Sequence, residues 1–234
     1  MTEAEWLACE DVEAVAEMVW QTVSDRKAQL IACGCCRLAW DWLIDERSQK
    51  AVEVSERFAD SLATDDELGR AAWFAEAVVF ALHAKQERYQ REQKAIRDGW
   101  LAAADSVEDG FLVRRNGPPI LFNAAISAAN CAEATTYNPS FREYPNPLFS
   151  LAILRDIFGN PFRPVAFSPS WRTDTALSLA RGIYDERAFD RMPILADALQ
   201  DAGCDDLDVL NHCRDVKQTH VRGCWVVDLL LEKR

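Results

Sequence analysis

Glycine and proline are scarce in this chain of 234 residues, with nine of each. Turns between strands depend on these two residues, whereas helix interiors seldom tolerate them. Charged residues also interrupt every stretch of 18 residues, so no segment is long and apolar enough to span a bilayer. The pattern predicts an all-α protein, with about ten helices in one orthogonal or bundle-like globular unit.

The chain also lacks the usual marks of catalysis and of export. It has only three histidines, and it contains no glycine-rich phosphate loop, no G-x-S-x-G elbow and no H-E-x-x-H motif. The first residues are broken by acidic side chains and are not preceded by a basic segment, which is not the pattern of a signal peptide. We therefore expect a cytoplasmic protein that is not an enzyme, whose eight cysteines are thiols or metal ligands rather than disulfides.

Basic residues are fewer than acidic ones: the chain has 26 Lys and Arg and 38 Asp and Glu, which gives a net charge of −12. Such a surface repels phosphate, which disfavours nucleic acid and anionic membranes as partners. No run of basic residues marks a local exception. The partner expected from charge alone is another protein.

Helix start signals divide the chain. Capping boxes at Thr2 with Glu5 and at Thr64 with Glu67 predict two helix N-termini, the second opening the longest helix, which runs to about Ala104. Loops are expected at 106–119 and 137–147, flanking an alanine-rich helix. We interpret residues 1–234 as a single helical domain, with a possible subdomain seam at 137–147.

The C-terminal third is predicted to contain five shorter helices. Gly159 and Gly203 suit positions just after a helix end, and Thr173 suits an N-cap. The predicted helices are Leu148–Phe158, Asp174–Ala188, Pro193–Ala202, Asp205–Val216 and Val221–Glu232.

The densest group of soft ligands lies near the C-terminus and consists of Cys204, His212, Cys213, His220 and Cys224. Zinc prefers thiolate and imidazole ligands in tetrahedral sets. The set Cys204, His212, His220 and Cys224 is a candidate zinc site, with Cys213 as a substitute. The alternative is that these cysteines are ordinary core residues, since free cysteine is commonly buried.

A second cysteine cluster lies in the segment Ala32–Arg37. Cys33 and Cys36 have the C-x-x-C spacing of redox and zinc sites, so they are candidates for a thiol redox sensor. They are predicted to lie in the middle of a helix, however, where the helix dipole does not lower a thiol pKa. The alternative is structural: Gly34 and its small neighbours allow another helix to approach closely.

Five arginines are concentrated between residues 160 and 191. They could bind an anionic partner or pair with carboxylates nearby, and the second interpretation is favoured because inward-facing arginines normally have a carboxylate partner. The expected carboxylate partners are Asp156, Asp174, Asp185 and Glu186.

Several strings in the chain resemble a family of uncharacterised bacterial proteins. They are SDRK at 24–27, CGCCR at 33–37, LRDIFGNPFRP at 154–164, HVRGCW at 220–225 and DLL at 228–230. The family has no assigned activity, so the resemblance implies a stand-alone cytosolic protein outside the obvious enzyme classes and supplies no catalytic residues.

Three functional hypotheses follow from the sequence. The first is a cytosolic helical binding or interaction module without catalysis, whose contact surface involves the polar helix beyond His83 or the loop Phe111–Pro119. The second is a zinc-binding protein, structural or hydrolytic, that uses the C-terminal cluster. The third is a redox sensor at Cys33 and Cys36.

Overall fold

Both capping boxes that the sequence predicts are present in the structure. The computed structural model describes residues 1–104 and 150–233. The Thr2 hydroxyl accepts from the Glu5 amide while the Glu5 carboxylate accepts from the Thr2 amide. The same reciprocal pair joins Thr64 and Glu67. These hydrogen bonds join residues three apart, so local sequence defines these helix ends without tertiary contacts.

Ten α-helices and no strand occur in the part of the chain that the structure describes, which confirms the all-α prediction. Three single 3₁₀ turns supplement them. The first five helices are α1 Glu3–Ala8, α2 Val12–Trp20, α3 Asp25–Leu38, α4 Glu46–Ala59 and α5 Asp65–Ala104.

The remaining five helices lie in the second described range, 150–233. They are α6 Leu151–Phe158, α7 Asp174–Glu186, α8 Met192–Asp201, α9 Leu207–Arg214 and α10 Trp225–Leu231. The prediction that the last helix begins at Val221 is wrong. Residues 221–224 instead form a turn, because Gly223 has a φ of +93° and the Cys224 amide bonds the Val221 carbonyl.

Helix α6 lies between the N-terminal helices and the C-terminal ones. It contacts α2 and α3 on one side and α10 on the other. Its buried residues Ile153, Leu154 and Ile157 belong to one hydrophobic cluster with Trp6 and Leu30. A larger cluster beneath α7–α10 fills the C-terminal half, so α6 is the element through which the two halves meet.

A buried network of charged residues forms a second connection between the two halves. Arg26 on α3 binds Asp60 just after α4 and Asp228 on α10, with N···O distances of 3.1 and 2.6 Å. The Tyr184 hydroxyl on α7 accepts from Arg26 and donates to Asp60. Removing one partner from such a network leaves an uncompensated charge, so the network fixes how these helices pack.

Several predictions lie outside the described residues. They are the loops at 106–119 and 137–147, the helix between them and the possible subdomain seam. Within the described ranges, no helix is long and apolar enough to cross a membrane.

Two helical glycines provide a matched test of this packing. A Cβ on Gly34 of α3 would lie 3.2 Å from Ile153 Cγ2 and 3.3 Å from Val221 Cγ1, whereas a Cβ on Gly69 of α5 would meet nothing within 4 Å. Both changes to alanine gain about 1 kcal/mol of helix propensity. Only Gly34→Ala adds overpacking, of about 1–3 kcal/mol, against side chains that are themselves enclosed.

We therefore expect Gly34→Ala to lower, and Gly69→Ala to raise, the free energy of unfolding measured with urea. Equal stabilisation by the two substitutions would contradict the close contact at Gly34.

Candidate metal centre

Four side chains that can each offer one metal ligand converge where α6 meets the C-terminal helices. They are Asp156, His212, His220 and Cys224, and their ligand atoms all lie within 4.8 Å of one another. Asp156 lies on α6 and His212 on α9, while His220 and Cys224 border the turn before α10. The group therefore gathers three separate segments of the chain at one point.

The distances between donor atoms are short. His212 Nε2 lies 3.2 Å from Cys224 Sγ and 3.2 Å from Asp156 Oδ1. His220 Nδ1 lies 2.7 Å from the same Oδ1 and 3.9 Å from Cys224 Sγ. A tetrahedral zinc ion with ordinary bond lengths separates its ligand atoms by about 3.3–3.8 Å. Three of the four separations lie within about 0.1 Å of that range, whereas Nδ1 and Oδ1 at 2.7 Å are at hydrogen-bond distance and would move apart by about 0.6 Å to share a zinc ion.

The site is closed to solvent. Asp156 and Cys224 are 0% exposed, and the side chains of His212 and His220 are 9% and 5% exposed. His212 also packs beside the rings of His220 and Trp225. A buried set of four protein donors leaves no coordination position open to water, which is the arrangement of a structural rather than a hydrolytic metal site.

Asp156 is oriented by the backbone. Its Oδ2 accepts a hydrogen bond from the Val221 amide at 2.8 Å, which leaves Oδ1 facing the two imidazoles. Burial by itself raises the pKa of Asp156, but the hydrogen bonding and charge of His212 and His220 outweigh it, so the pKa lies below its ordinary value. The carboxylate is thus held ionised in the interior.

Cys224 needs a positive charge to act as a ligand. Burial raises the pKa of its thiol well above the ordinary value, and the charge of Asp156 adds to this effect. A divalent cation reverses the balance, because a coordinated thiol is deprotonated outright. The ligands would then be two neutral imidazoles, one carboxylate and one thiolate, and the two negative charges balance a +2 ion. An electroneutral complex is the form that a dry interior accepts.

The structure brings together three of the four ligands proposed from the sequence, namely His212, His220 and Cys224. The fourth member of the group is Asp156 in place of Cys204. Cys204 and the substitute Cys213 are buried in the C-terminal hydrophobic cluster. Cys213 follows His212 on α9, and neighbouring side chains on a helix diverge by about 100°, so it faces the core when His212 faces the site.

His220 and Cys224 are four residues apart, but they do not share a helix face, because His220 precedes the turn and Cys224 is the N-cap of α10. The turn, rather than a helix face, brings Nδ1 and Sγ to 3.9 Å.

Asp156 was not predicted as a ligand, because its carboxylate was expected to pair with an arginine. Its partners are His212, His220 and the Val221 amide. The only available sequence signal was an acid in a mainly apolar helical stretch, Leu151–Phe158, whose one other charged residue is Arg155. An acid at such a position must find a polar partner in the interior.

The proposed redox pair lies in a packed region. Cys33 and Cys36 are unbridged, and both are buried with Ala32, Ala39 and Val52. Reactive cysteines are usually at least partly accessible, whereas buried ones are typically structural. The short contacts at Gly34 confirm the close approach that the small residues allowed, while the redox hypothesis itself stays a prediction.

A second polar cluster lies beside the metal-binding group. Glu56 on α4 is only 2% exposed, and it accepts from Arg37 Nε and Nη2 at 2.9 and 2.8 Å. Arg187 also binds this carboxylate, and Arg222 Nη1 lies 3.9 Å from it. The expected pairing with one of the named carboxylates is found at Arg191, which binds Glu186, whereas Arg187 pairs with Glu56 on a distant helix.

Comparisons with known proteins found no relatives: no protein-family model matches the chain, and neither a curated protein nor a solved structure does.

The Glu56 cluster predicts an acid-sensitive contribution to stability. Burial raises the pKa of Glu56, but the bonds from Arg37 and Arg187 outweigh it, so the folded pKa lies below the value of 4.5 for a free glutamate. Its stabilisation is therefore complete above pH 4.5 and is lost as the pH falls through the lower, folded value.

We expect Glu56→Gln to cost about 3 kcal/mol in free energy of unfolding at pH 7, with the difference from wild type shrinking towards pH 3. Glu53→Gln, which changes an exposed ion pair on the same helix, should cost at most about 0.5 kcal/mol. Urea unfolding at a series of pH values measures both. A Glu56→Gln deficit that did not shrink with acid would contradict the assignment.

Proposed function

We propose that this chain is a zinc-binding protein in which Asp156, His212, His220 and Cys224 coordinate one ion. The observation that carries the proposal is the convergence of four ligand atoms within 4.8 Å of one another in a buried position. One thiolate, two imidazoles and one carboxylate form a donor set that suits zinc, whose borderline character accepts sulfur, nitrogen and oxygen.

The role of the ion is structural. Four protein donors complete a tetrahedron, and no exposed face remains for a substrate or a reactive water. The ion would tie α6 to α9 and to the turn before α10, which are the segments that hold the two halves of the described chain together. Structural zinc contributes binding free energy directly to folding.

Nothing in this arrangement requires catalysis, so the proposal keeps the interpretation of the chain as a helical binding module. The surfaces first considered for that role were the polar helix beyond His83 and the loop Phe111–Pro119. The loop lies outside the described residues, and α5 continues past His83 to Ala104. Both surfaces, and the cytosolic location, remain predictions.

Metal analysis of variants distinguishes the two candidate ligand sets. Protein purified without chelator should contain about one equivalent of zinc by mass spectrometry, because structural zinc binds tightly. Asp156→Asn and Cys224→Ala should lose most of it. Cys204→Ala should keep the metal and cost only about 1–2 kcal/mol through a small cavity.

The result that would refute the proposal is wild-type protein that purifies without bound metal and takes up none when zinc is added. The alternative in that case is a metal-free cluster in which Asp156 accepts from the two imidazoles. Loss of metal in Cys204→Ala but not in Asp156→Asn would instead restore the ligand set inferred from the sequence.

Removal of the ion should destabilise the fold. A strong chelator should lower the thermal midpoint of the wild type, and one equivalent of zinc should restore it, since a ligand that binds only the folded state stabilises that state. The midpoint of Asp156→Asn should not respond to chelator. Cobalt substitution gives a second readout: the charge-transfer absorption of a cobalt–thiolate bond should appear in the wild type and be absent in Cys224→Ser.

A further inference from the structure

A cavity of about 140 Å³ opens beside the metal centre, on the side of His220 that faces α3 and α4. Its charged walls are Arg37, Arg187, Arg222 and Glu56, and His220 and Phe189 complete the side nearest the metal. The space can hold several water molecules or one small polyatomic ion.

Positive groups outnumber negative ones among the charged residues of this cavity, and apolar side chains including Leu30, Cys33 and Val221 line the rest. Three guanidinium groups face one carboxylate, which leaves a net charge of +2 among the lining residues before His220 is counted. Their side chains are mostly enclosed, with exposures of 18% for Arg37, 33% for Arg187 and 13% for Arg222. Charges that are screened so little by water attract a counter-ion strongly.

The carboxylate of Glu56 does not use up the available donors. Each guanidinium carries five N–H groups, and Glu56 offers two oxygens to all three arginines. Arg222 directs Nε and Nη2 to the carbonyls of Tyr184 and Asp185, while its Nη1 lies 3.9 Å from Glu56, beyond hydrogen-bond distance. Donors therefore remain for a further acceptor.

His220 supplies an independent sign of a ligand. Its side chain is 95% buried, as the 5% exposure implies, and its Nε2 has no hydrogen-bond partner among the described residues. A metal-ligating histidine normally donates its other ring N–H to an acceptor. If zinc occupies Nδ1, as proposed above, the proton must sit on Nε2, an atom that is itself buried and lacks an acceptor, on a residue that lines the cavity.

From this arrangement we infer that the cavity binds a small oxyanion, namely a phosphate ion or the phosphate group of a small molecule. Guanidinium groups match phosphate oxygens through paired N–H···O bonds, which a monatomic anion cannot accept in the same way. The ring of Phe189 stacks on His220 at a centroid distance of 6.3 Å and shields that wall. The basic residues come from α3, the end of α7 and the turn before α10, so the site exists only in the folded chain.

Calorimetric titration of the zinc-loaded protein with inorganic phosphate tests the inference, with ionic strength held constant by chloride. We expect saturable binding at one site that chloride does not reproduce. Arg187→Gln and Arg222→Gln should each weaken binding about tenfold or more, the effect of losing a hydrogen bond to a charged group. Arg191→Gln, which changes an exposed arginine outside the cavity that is paired with Glu186, should stay within about twofold of wild type.

Two further arms complete the test. Arg187→Lys keeps the charge and loses the planar fork, so it should weaken binding by an intermediate factor even if Arg187→Gln fails to fold. Phenyl phosphate distinguishes a free ion from a phosphate group: binding as tight as that of phosphate indicates that the cavity mouth admits a larger molecule, and no binding restricts the site to the free ion.

Absence of saturable phosphate binding to the wild type would overturn the inference. Equal weakening by Arg191→Gln and Arg187→Gln would overturn it as well, because binding would then reflect general surface charge. Zinc content, measured on the same samples, separates this outcome from failure of the metal site.

Discussion

A buried carboxylate, that of Asp156, lies where the two halves of the described chain meet. Asp156 has no solvent exposure, and an ionised group in that position must have its lone pairs occupied by donors or by a cation. Its Oδ2 holds the Val221 amide, and its Oδ1 faces His212 and His220. Because Val221 in turn packs against Gly34, the same carboxylate sets the position of the turn before α10 relative to α3.

Much of the fold could be predicted because its signals are local. Capping boxes, N-cap residues and helical spacing of apolar residues each depend on neighbours within about four positions. The beginning of the last helix was predicted wrongly for the opposite reason. Residues 221–224 have apolar helical spacing, but the tertiary bond from the Val221 amide to Asp156 and the positive φ of Gly223 hold them in a turn.

The candidate metal centre was predictable only in part, because one of its members is distant from the others in sequence. His212, His220 and Cys224 lie within thirteen positions of one another along the chain and could be grouped by eye. Asp156 is 64 residues from His220 and joins them only through the packing of α6. Cys204 is close in sequence but is not part of the group: like Cys224 it is buried in the C-terminal hydrophobic cluster, where a small thiol can fill a core position without any partner.

The net charge describes the protein as a whole and did not indicate that several arginines face the interior. The chain carries −12 overall, yet Arg26, Arg37 and Arg222 turn inward, where each meets a buried or half-buried carboxylate. Repulsion between an acidic surface and an anion fades beyond a Debye length of about 8 Å at physiological ionic strength. A guanidinium contact acts at about 2.8 Å in a medium that screens it far less. A long polyanion must lie along the acidic surface, whereas a single small oxyanion that enters the cavity meets three inward-facing arginines and one carboxylate, Glu56. The expected weak binding of nucleic acid and the proposed binding of a small phosphate are therefore compatible.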